Sequence, residues 1–385
     1  MFQVLVLSGH ADVLAQSSLL ESLAERCDQA GAMNWLGYFL AASSFKGKHP
    51  YLVLMMKSGA GTSSLRLEEV HAAVLLFEYR VLGMPTGAFS TDDWAGFRTV
   101  IAPEAERAAM ASMAADALLK HGAQIVLISY GHTAQSTSKL APASSEPIRW
   151  AWRTRPVEMA LPLEPTLKAT LAKLGKLTRR NLAYYRRRVE ATMACEFVAD
   201  AKGLVHEREL EGLNAGALNR ISFSDFRHQF ESSCKLPGGF LLGLQSGQGR
   251  WLGLMGGWRQ GGVTVVYWQM NTAGYEKLSI GTAMRSYFLE YEVGLGTKTL
   301  VYYGGSAHSI RNSFVREEVT DLIVRRRSWR AAALQGVAKM ITSPRFFIRI
   351  NSQLAQTIAI KDLDWHATDA KGLRPEPQSQ GSRLL

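Results

Sequence analysis

Cysteine is scarce in this chain. Three occur in 385 residues, Cys27, Cys195 and Cys234, far apart and odd in number. With no Cys-x-x-Cys pair, they exclude a disulfide framework and a cysteine-based zinc site and point to a reducing compartment. Long apolar runs are missing too. A run such as Ala72–Phe77 is far short of the ~20 residues that a membrane-spanning helix needs. The start, from Met1 to His10, carries no basic cluster and meets Asp12 early. It does not read as a signal peptide, so a cytoplasmic location is expected. None of the nine histidines falls in an HExxH spacing, and no metal is expected. Neither a Gly-x-Ser-x-Gly elbow nor a Gly-x-x-x-x-Gly-Lys loop occurs, which removes hydrolase-elbow and P-loop readings. Acidic residues are outnumbered, 33 against 44 Lys and Arg, for a net charge of +11. That excess suits nucleic acid, a membrane surface or an anionic cofactor.

What is present is a globular composition, 47% apolar and 20% charged, at a length that suits two domains or more. Compact apolar runs predict strands over Phe2–Ser8, Tyr51–Lys57, Ala72–Leu82 and Gln124–Tyr130. Helical spacing predicts helices over Leu14–Ala30 and Pro103–His121, the second closed by Gly122. The alternation implies α/β packing. Pro142, Pro147, Pro156, Pro162 and Pro165 then cluster among small polar residues. They predict a linker over 141–165, between a lobe at 1–140 and another at 166–345; residues 346–385 read as a helix and a flexible tail.

In the second lobe a basic helix is expected over Thr166–Thr192, broken at Gly175–Thr178, and another opens near Ser222 with Ser224 as its cap. Three antiparallel strands follow at Phe240–Gln245, Trp251–Trp258 and Gly262–Met270, with a hairpin at Arg259–Gly262. A helix over Gly281–Val293 and a strand over Thr299–Tyr303 come next. Short helices are expected at Ala331–Met340 and Ser352–Ile360.

The turn Ser279-Ile280-Gly281-Thr282 opens the Gly281–Val293 helix. A helix start presents free backbone N–H groups and partial positive charge, and Gly281 removes a side chain where a phosphate would approach. On local sequence alone a plain serine-capped helix fits better than an anion cradle; the cradle reading gains from its context.

Two motifs carry a family resemblance. Leu174-Gly-Lys-Leu-Thr178-Arg179-Arg180-Asn181-Leu182-Ala-Tyr-Tyr-Arg186-Arg187-Arg188 resembles the basic helix of CelD-type acetyltransferases, relatives of the FemAB-like peptidyltransferases. Gly274-Tyr-Glu276-Lys-Leu-Ser279-Ile280-Gly281-Thr282 resembles the turn ahead of their CoA-facing helix, with Ile280 where the family often has proline. The family's Asp-Phe pattern after the last core strand is absent; the chain reads Leu300-Val-Tyr302-Tyr303-Gly304-Gly305. The resemblance implies an α/β fold with a mixed sheet, built as tandem GNAT-like (acyl-CoA N-acyltransferase) lobes, the first degenerate.

It also implies transfer of an acetyl or other acyl group from acyl-CoA to an amine on a small molecule or saccharide, with links to exopolysaccharide or cell-envelope metabolism. Ser279, Ile280, Gly281 and Thr282 would hold CoA. Acyl transfer needs a base for the amine and a proton for the leaving thiolate; Tyr303, His308 and Glu276 are the candidates. Trp268 and Tyr267, with Trp258, would wall the acceptor groove, or simply pack in the core. The positive charge, densest in Lys173–Arg188 and Arg311–Arg330, is expected to flank the turn as a funnel for CoA first and tRNA second. A tRNA-dependent aminoacyl transferase and a non-catalytic binding protein of this fold are the alternatives.

Overall fold

The computed structural model describes residues 2–27, 36, 39–40, 48–58, 65–81, 83–91, 99–131, 142, 147–217, 222–302, 309–341, 363 and 365–367. The first apolar runs become β1 (Phe2–Ser8), β2 (Lys48–Lys57), β3 (Val70–Val81) and β4 (Met84–Ser90), an antiparallel meander. The helices α1 (His10–Leu14) and α2 (Ser17–Arg26) lie between β1 and β2 in the chain. A short β5 (Val100–Ile101) pairs with β3. The helix α3 (Arg107–Lys120) crosses over to β6 (Ile125–Gly131), which runs parallel to β4. Buried alanines at 108, 111, 114, 115 and 117 let α3 press close against the sheet. Gly122, at φ 93°, ends it with a backbone that other residues rarely adopt.

The second half repeats this order. After β7 (Ile148–Pro162), α4 (Leu167–Lys173) and α5 (Lys176–Thr192) come β8 (Cys195–Val198), α6 (Glu207–Gly216) and α7 (Phe223–Lys235). Next are the antiparallel strands β9 (Gly239–Ser246), β10 (Trp251–Gln260) and β11 (Val263–Asn271), which pair as their apolar pattern predicts. The helix α8 (Ile280–Gly294) crosses to β12 (Thr299–Tyr302), parallel to β11. The chain continues through β13 (Val315–Arg326), α9 (Trp329–Ile341) and β14 (His366–Ala367).

The sheet order is a palindrome, β1-β2-β3-β4-β6-β13-β7-β12-β11-β10-β9-β8. Each half lends its last long strand to the other: β13 pairs with β6, and β7 pairs with β12. The two exchanged strands then pair with each other from Arg326↔Ile148 to Val315↔Ala160.

The segment expected as a linker is therefore largely strand, and β7 is central. The prolines misdirect the reading. Among the described residues β7 has β13 as its one neighbour around Pro156, so a missing N–H is tolerated there. Its Arg153 and Arg155 both reach the buried Asp321 of β13, at 2.8 and 2.9 Å from their Nε atoms, and Ser129 Oγ donates to the same carboxylate at 2.7 Å. The α7 helix is capped by Ser222, whose hydroxyl accepts from Asp225 N, rather than by Ser224. The expected helix at Ser352–Ile360 lies outside the described residues.

Both faces of the sheet are covered. In the second half α5 and α8 cover one face, over Leu242, Met255, Val266 and Leu300. The helices α6 and α7 cover the other, over Leu241, Leu254, Trp268 and Met270. Trp258 and Val265 belong to a cluster with Leu20, Leu52 and Phe77 of the first half, so one apolar core spans both.

Candidate functional site

The parallel strands β11 and β12 pair from Val263↔Thr299 to Val266↔Tyr302, and β11 continues to Asn271. Just beyond that ladder β11 carries a bulge. Gly256 pairs with Trp268 and Gly257 with Val266, leaving Tyr267 without an opposite residue on β10. Both glycines are required. A Cβ on Gly257 would lie 1.8 Å from Val265 O, and one on Gly256 2.6 Å from Ser233 Oγ. In the first half Thr91 N donates to Leu127 O at 3.0 Å, and Ser129 N to Thr91 Oγ1 at 2.9 Å, just beyond the β4–β6 ladder.

The N-terminus of α8 stands beside the end of β11. The loop after β11 turns at Gly274 and makes a short 3-10 turn over Glu276–Leu278. Ser279 then sits at φ 48°, ψ 57°, a left-handed conformation that costs a non-glycine residue about 1–2 kcal/mol. Among the described residues it is the one non-glycine residue at positive φ. Its hydroxyl contacts Thr282 Oγ1 at 2.8 Å, and its carbonyl accepts from Thr282 N and Ala283 N. The N–H of Thr282 is thus taken, leaving those of Ile280 and Gly281 without a backbone acceptor. Ile280 and Thr282 are buried.

Gly281 has a role that its sequence does not announce. A Cβ there would lie 2.8 Å from Gln269 Nε2 and 2.9 Å from Asn271 Nδ2. These β11 side chains lean over the first turn of α8, and Gln269 Nε2 donates to Asn271 Oδ1 at 3.1 Å. The space expected for a phosphate is lined by two amides, themselves hydrogen-bond donors. Ser279→Gly is expected to raise the melting temperature by about 1–3 °C, by relieving the strained φ. A thermal melt checks this; a drop would show that the hydroxyl contact outweighs the strain.

The other expected residues are distributed as follows. Trp268 is core: it is 7% exposed, donates to Ser233 Oγ at 2.9 Å and meets Phe226 edge-on. It faces α7 and not a groove, because the bulge shifts its side by one residue. Trp258 is buried in the core shared by the two halves. Tyr267 is half-buried at the bulge and meets the Trp258 ring. Glu276 is exposed and closes its own loop, accepting from Gly274 N at 2.8 Å. That hydrogen bond holds its carboxyl below the usual range, which makes it a weaker base than expected. Tyr303 and His308 lie outside the described residues.

Two polar groups that are not among the expected catalytic residues are buried nearby, one of them the Tyr302 that precedes the favoured Tyr303. Tyr302 ends the paired part of β12, is buried, stacks on Phe314 at 5.7 Å, and its hydroxyl has no partner. Burial pushes its phenol up to about 12. Arg285 of α8 also has buried Nε and Nη1 atoms without acceptors. By contrast, the Glu292 carboxylate deeper in α8 is saturated by Arg259, Thr264 and Thr297, at 2.5–2.9 Å.

The basic residues do not form one funnel. In α5, Arg186 pairs with Glu190 and Glu290 and lies over the Tyr287 ring at 4.1 Å, so it joins α5 to α8. Arg179 and Arg180 are exposed. Arg325, Arg326 and Arg327 sit at the far end of β13, beside β6 of the first half. With Arg149, Ser328, Trp329 and Ala332 they line a cavity of about 380 Å³.

No family model matches the chain, and no curated protein matches it in sequence. Solved structures do match. The C-terminal domain of a putative lysylphosphatidylglycerol synthetase from Agrobacterium fabrum aligns with TM-score 0.50 and 10% identity, over 86% of this chain and 96% of that one. A tandem GNAT protein from the clavulanic acid biosynthesis pathway aligns with TM-score 0.46 and 10% identity, over 85% and 99%. FemX aligns with TM-score 0.49 and 8% identity, over 80% and 95%. The chain thus shares with that Agrobacterium domain its fold, two α/β halves joined in one mixed sheet. Among the described residues no three His, Cys, Asp or Glu side chains converge on a metal position, and no helix is long and apolar enough to cross a membrane.

Proposed function

We propose that the second half of the chain is an acyltransferase site that takes an acyl group from acyl-CoA and passes it to an amine. The observation that carries this reading is the N-terminus of α8 beside the end of β11, where the Ile280 and Gly281 N–H groups are free of backbone acceptors and a Cβ on Gly281 would meet the Gln269 and Asn271 amides. A helix N-terminus with free N–H groups favours a pyrophosphate. The acyl group would meet its acceptor toward the Tyr267 bulge.

Tyr303 and His308 remain the candidates for the proton transfers, and Tyr267 for contact with the acceptor. The first half, its strands β4 and β6 still linked just beyond their ladder, is a structural lobe. The acceptor is an amine on a small molecule or saccharide, within exopolysaccharide or cell-envelope metabolism, and the protein works in the cytoplasm.

Acetyl-CoA at about 100 times its Kd is expected to stabilise the protein by about 2.7 kcal/mol. Gly281→Asp should abolish that shift. Its carboxylate suits a helix N-terminus and so spares the fold, yet it repels phosphate. No shift with acetyl-CoA or longer acyl-CoAs would refute the reading. A shift without turnover on a panel of amines would leave a CoA-binding protein of this fold.

A second reading, aminoacyl transfer from tRNA, is favoured by the arginine-lined cavity with the exposed Trp329 at its rim. Such a surface binds nucleic acid with a strong dependence on salt. Stabilisation by tRNA that falls steeply with salt, without any by CoA, would support it.

A further inference from the structure

The cavity at the start of β7 is walled by charge of one sign. Arg149, Arg325, Arg326 and Arg327 line it together with Ser328 and Trp329, and among the described residues its lining includes no carboxylate. The register sets two of these arginines against each other. Arg149 and Arg325 are direct partners in the β7–β13 ladder, and like charges placed opposite one another weaken an antiparallel pair. Burial, and then the charge of Arg149, pull the Arg325 guanidinium below its ordinary pKa. Further along the same two strands arginines are balanced, since Arg153 and Arg155 share Asp321. Arg325 is held by neutral groups instead. Its Nη1 donates to Gln335 Oε1, and its guanidinium lies over the Trp365 ring at 5.5 Å. Arg326 Nη2 donates to a carbonyl, Leu119 O. A neutral acceptor positions a guanidinium without cancelling its charge. The rest of the wall is fixed as well. Ser328 Oγ donates to Gln124 Oε1 at 2.7 Å and accepts from Ala331 N at 3.1 Å, which caps the start of α9. Trp329 stands at the rim, 77% exposed, and is the most exposed large apolar side chain among the described residues.

We propose that this cavity binds a nucleoside polyphosphate, with its phosphates among the four arginines and its base against Trp329. The lining residues belong to β7, β13, α9 and the turn before α9, so this is a second site and does not depend on the acyl-CoA reading. Phosphate oxygens accept hydrogen bonds, and a guanidinium fork meets two of them at once. A chain of phosphates brings enough negative charge to face four guanidinium groups, and it relieves the opposition of Arg149 and Arg325. The volume, about 380 Å³, lies within the range of about 300–1,000 Å³ usual for small-molecule sites. An exposed aromatic ring accepts a base by stacking. The concave shape favours a compact ligand over an extended nucleic-acid backbone or a flat lipid surface. The tRNA reading uses the same cavity, and the experiment below separates the two.

Titration calorimetry on the full chain tests this with ATP, pyrophosphate, adenosine, tRNA and phosphatidylglycerol vesicles as the probes. ATP is expected to bind, pyrophosphate to bind severalfold more weakly, and adenosine not to bind measurably. Arg149 and Arg327 are exposed, so replacing both with alanine spares the fold. The double variant should weaken ATP at least tenfold and leave the response to acetyl-CoA unchanged. Trp329→Ala should weaken ATP severalfold and leave pyrophosphate unchanged. Gly281→Asp should leave ATP affinity unchanged, which separates this site from the start of α8. Without ligand, Arg149→Ala should melt at or above the wild-type temperature, because it removes one of two opposed charges. The inference is overturned if ATP does not bind, if its binding survives the double arginine variant, or if it is lost in Gly281→Asp. It is also overturned if pyrophosphate binds as tightly as ATP and Trp329→Ala changes nothing, or if Arg149→Ala melts several degrees lower without ligand. Binding of tRNA or of the vesicles without binding of ATP overturns it as well and assigns the surface to that macromolecule or membrane. ATP binding that depends on Arg149 and Arg327, with no response of the wild type to any acyl-CoA, would remove the acyl-CoA reading and keep this site.

Discussion

Arg259→Met is expected to destabilise the protein by about 3–5 kcal/mol, the cost typical of removing one partner from a buried ion pair. Glu292 is fully buried, and Arg259 contributes two of its four hydrogen bonds. Without the guanidinium, a carboxylate is left in the core with two threonine hydroxyls. The pair also holds α8 against β10 and β11, and so helps fix the helix N-terminus relative to the end of β11. Denaturant unfolding of Arg259→Met, Glu292→Met and the double variant measures the coupling. The double variant should recover much of the loss, because replacing a buried pair with apolar side chains is often near neutral. A single-variant loss below about 1 kcal/mol would show that the carboxylate finds water or protonates cheaply.

Gly257→Ala should be comparably severe, at about 3 kcal/mol or more. The added carbon would lie 1.8 Å from the Val265 carbonyl oxygen, and a backbone atom cannot swing aside as a side chain can. The two strands must slip or separate, and the bulge at Tyr267 is lost with them. Gly294→Ala is the control. Nothing lies within 4 Å of its Cβ position, and alanine favours a helix, so stability should hold or rise slightly. Equal effects of the two substitutions would show that the bulge does not depend on the glycine.

Much of this arrangement is legible from local pattern. The runs at Tyr51–Lys57 and Ala72–Leu82 can only be inner strands, because their apolar residues leave no polar face. The hairpin at Gly261-Gly262, both at positive φ, follows directly from its glycines. Strand β7 is harder. Trp150 and Trp152 alternate with Arg153 and Arg155 in the two-residue period of a strand, but arginines in a core read as surface. Their counter-charge, Asp321, lies more than 160 residues away in sequence, so no local window contains the explanation.

The site divides in the same way. The helix start at Ser279–Thr282 is visible in sequence as a turn; that Gln269 and Asn271 lean over it is not, since that depends on the register of β11. Arg285 looks like any helical arginine until its environment is known. The Trp268 misreading has the same root, because a one-residue bulge at Tyr267 reverses which face each following side chain joins.

The exchange of β7 and β13 has a consequence in time. On the ribosome, the first half emerges with its helices and its six strands β1 to β6 but without the strand that completes its sheet. The open side of β6 must wait for residues 315–326, some 184 residues later than its own end. At about 5–20 residues per second the delay is about 10–40 s. Throughout it, β6 presents unpaired backbone to any passing strand, a hazard for a nascent chain. Neither half can then close early and independently, so the last native pairing to form is the one that joins them.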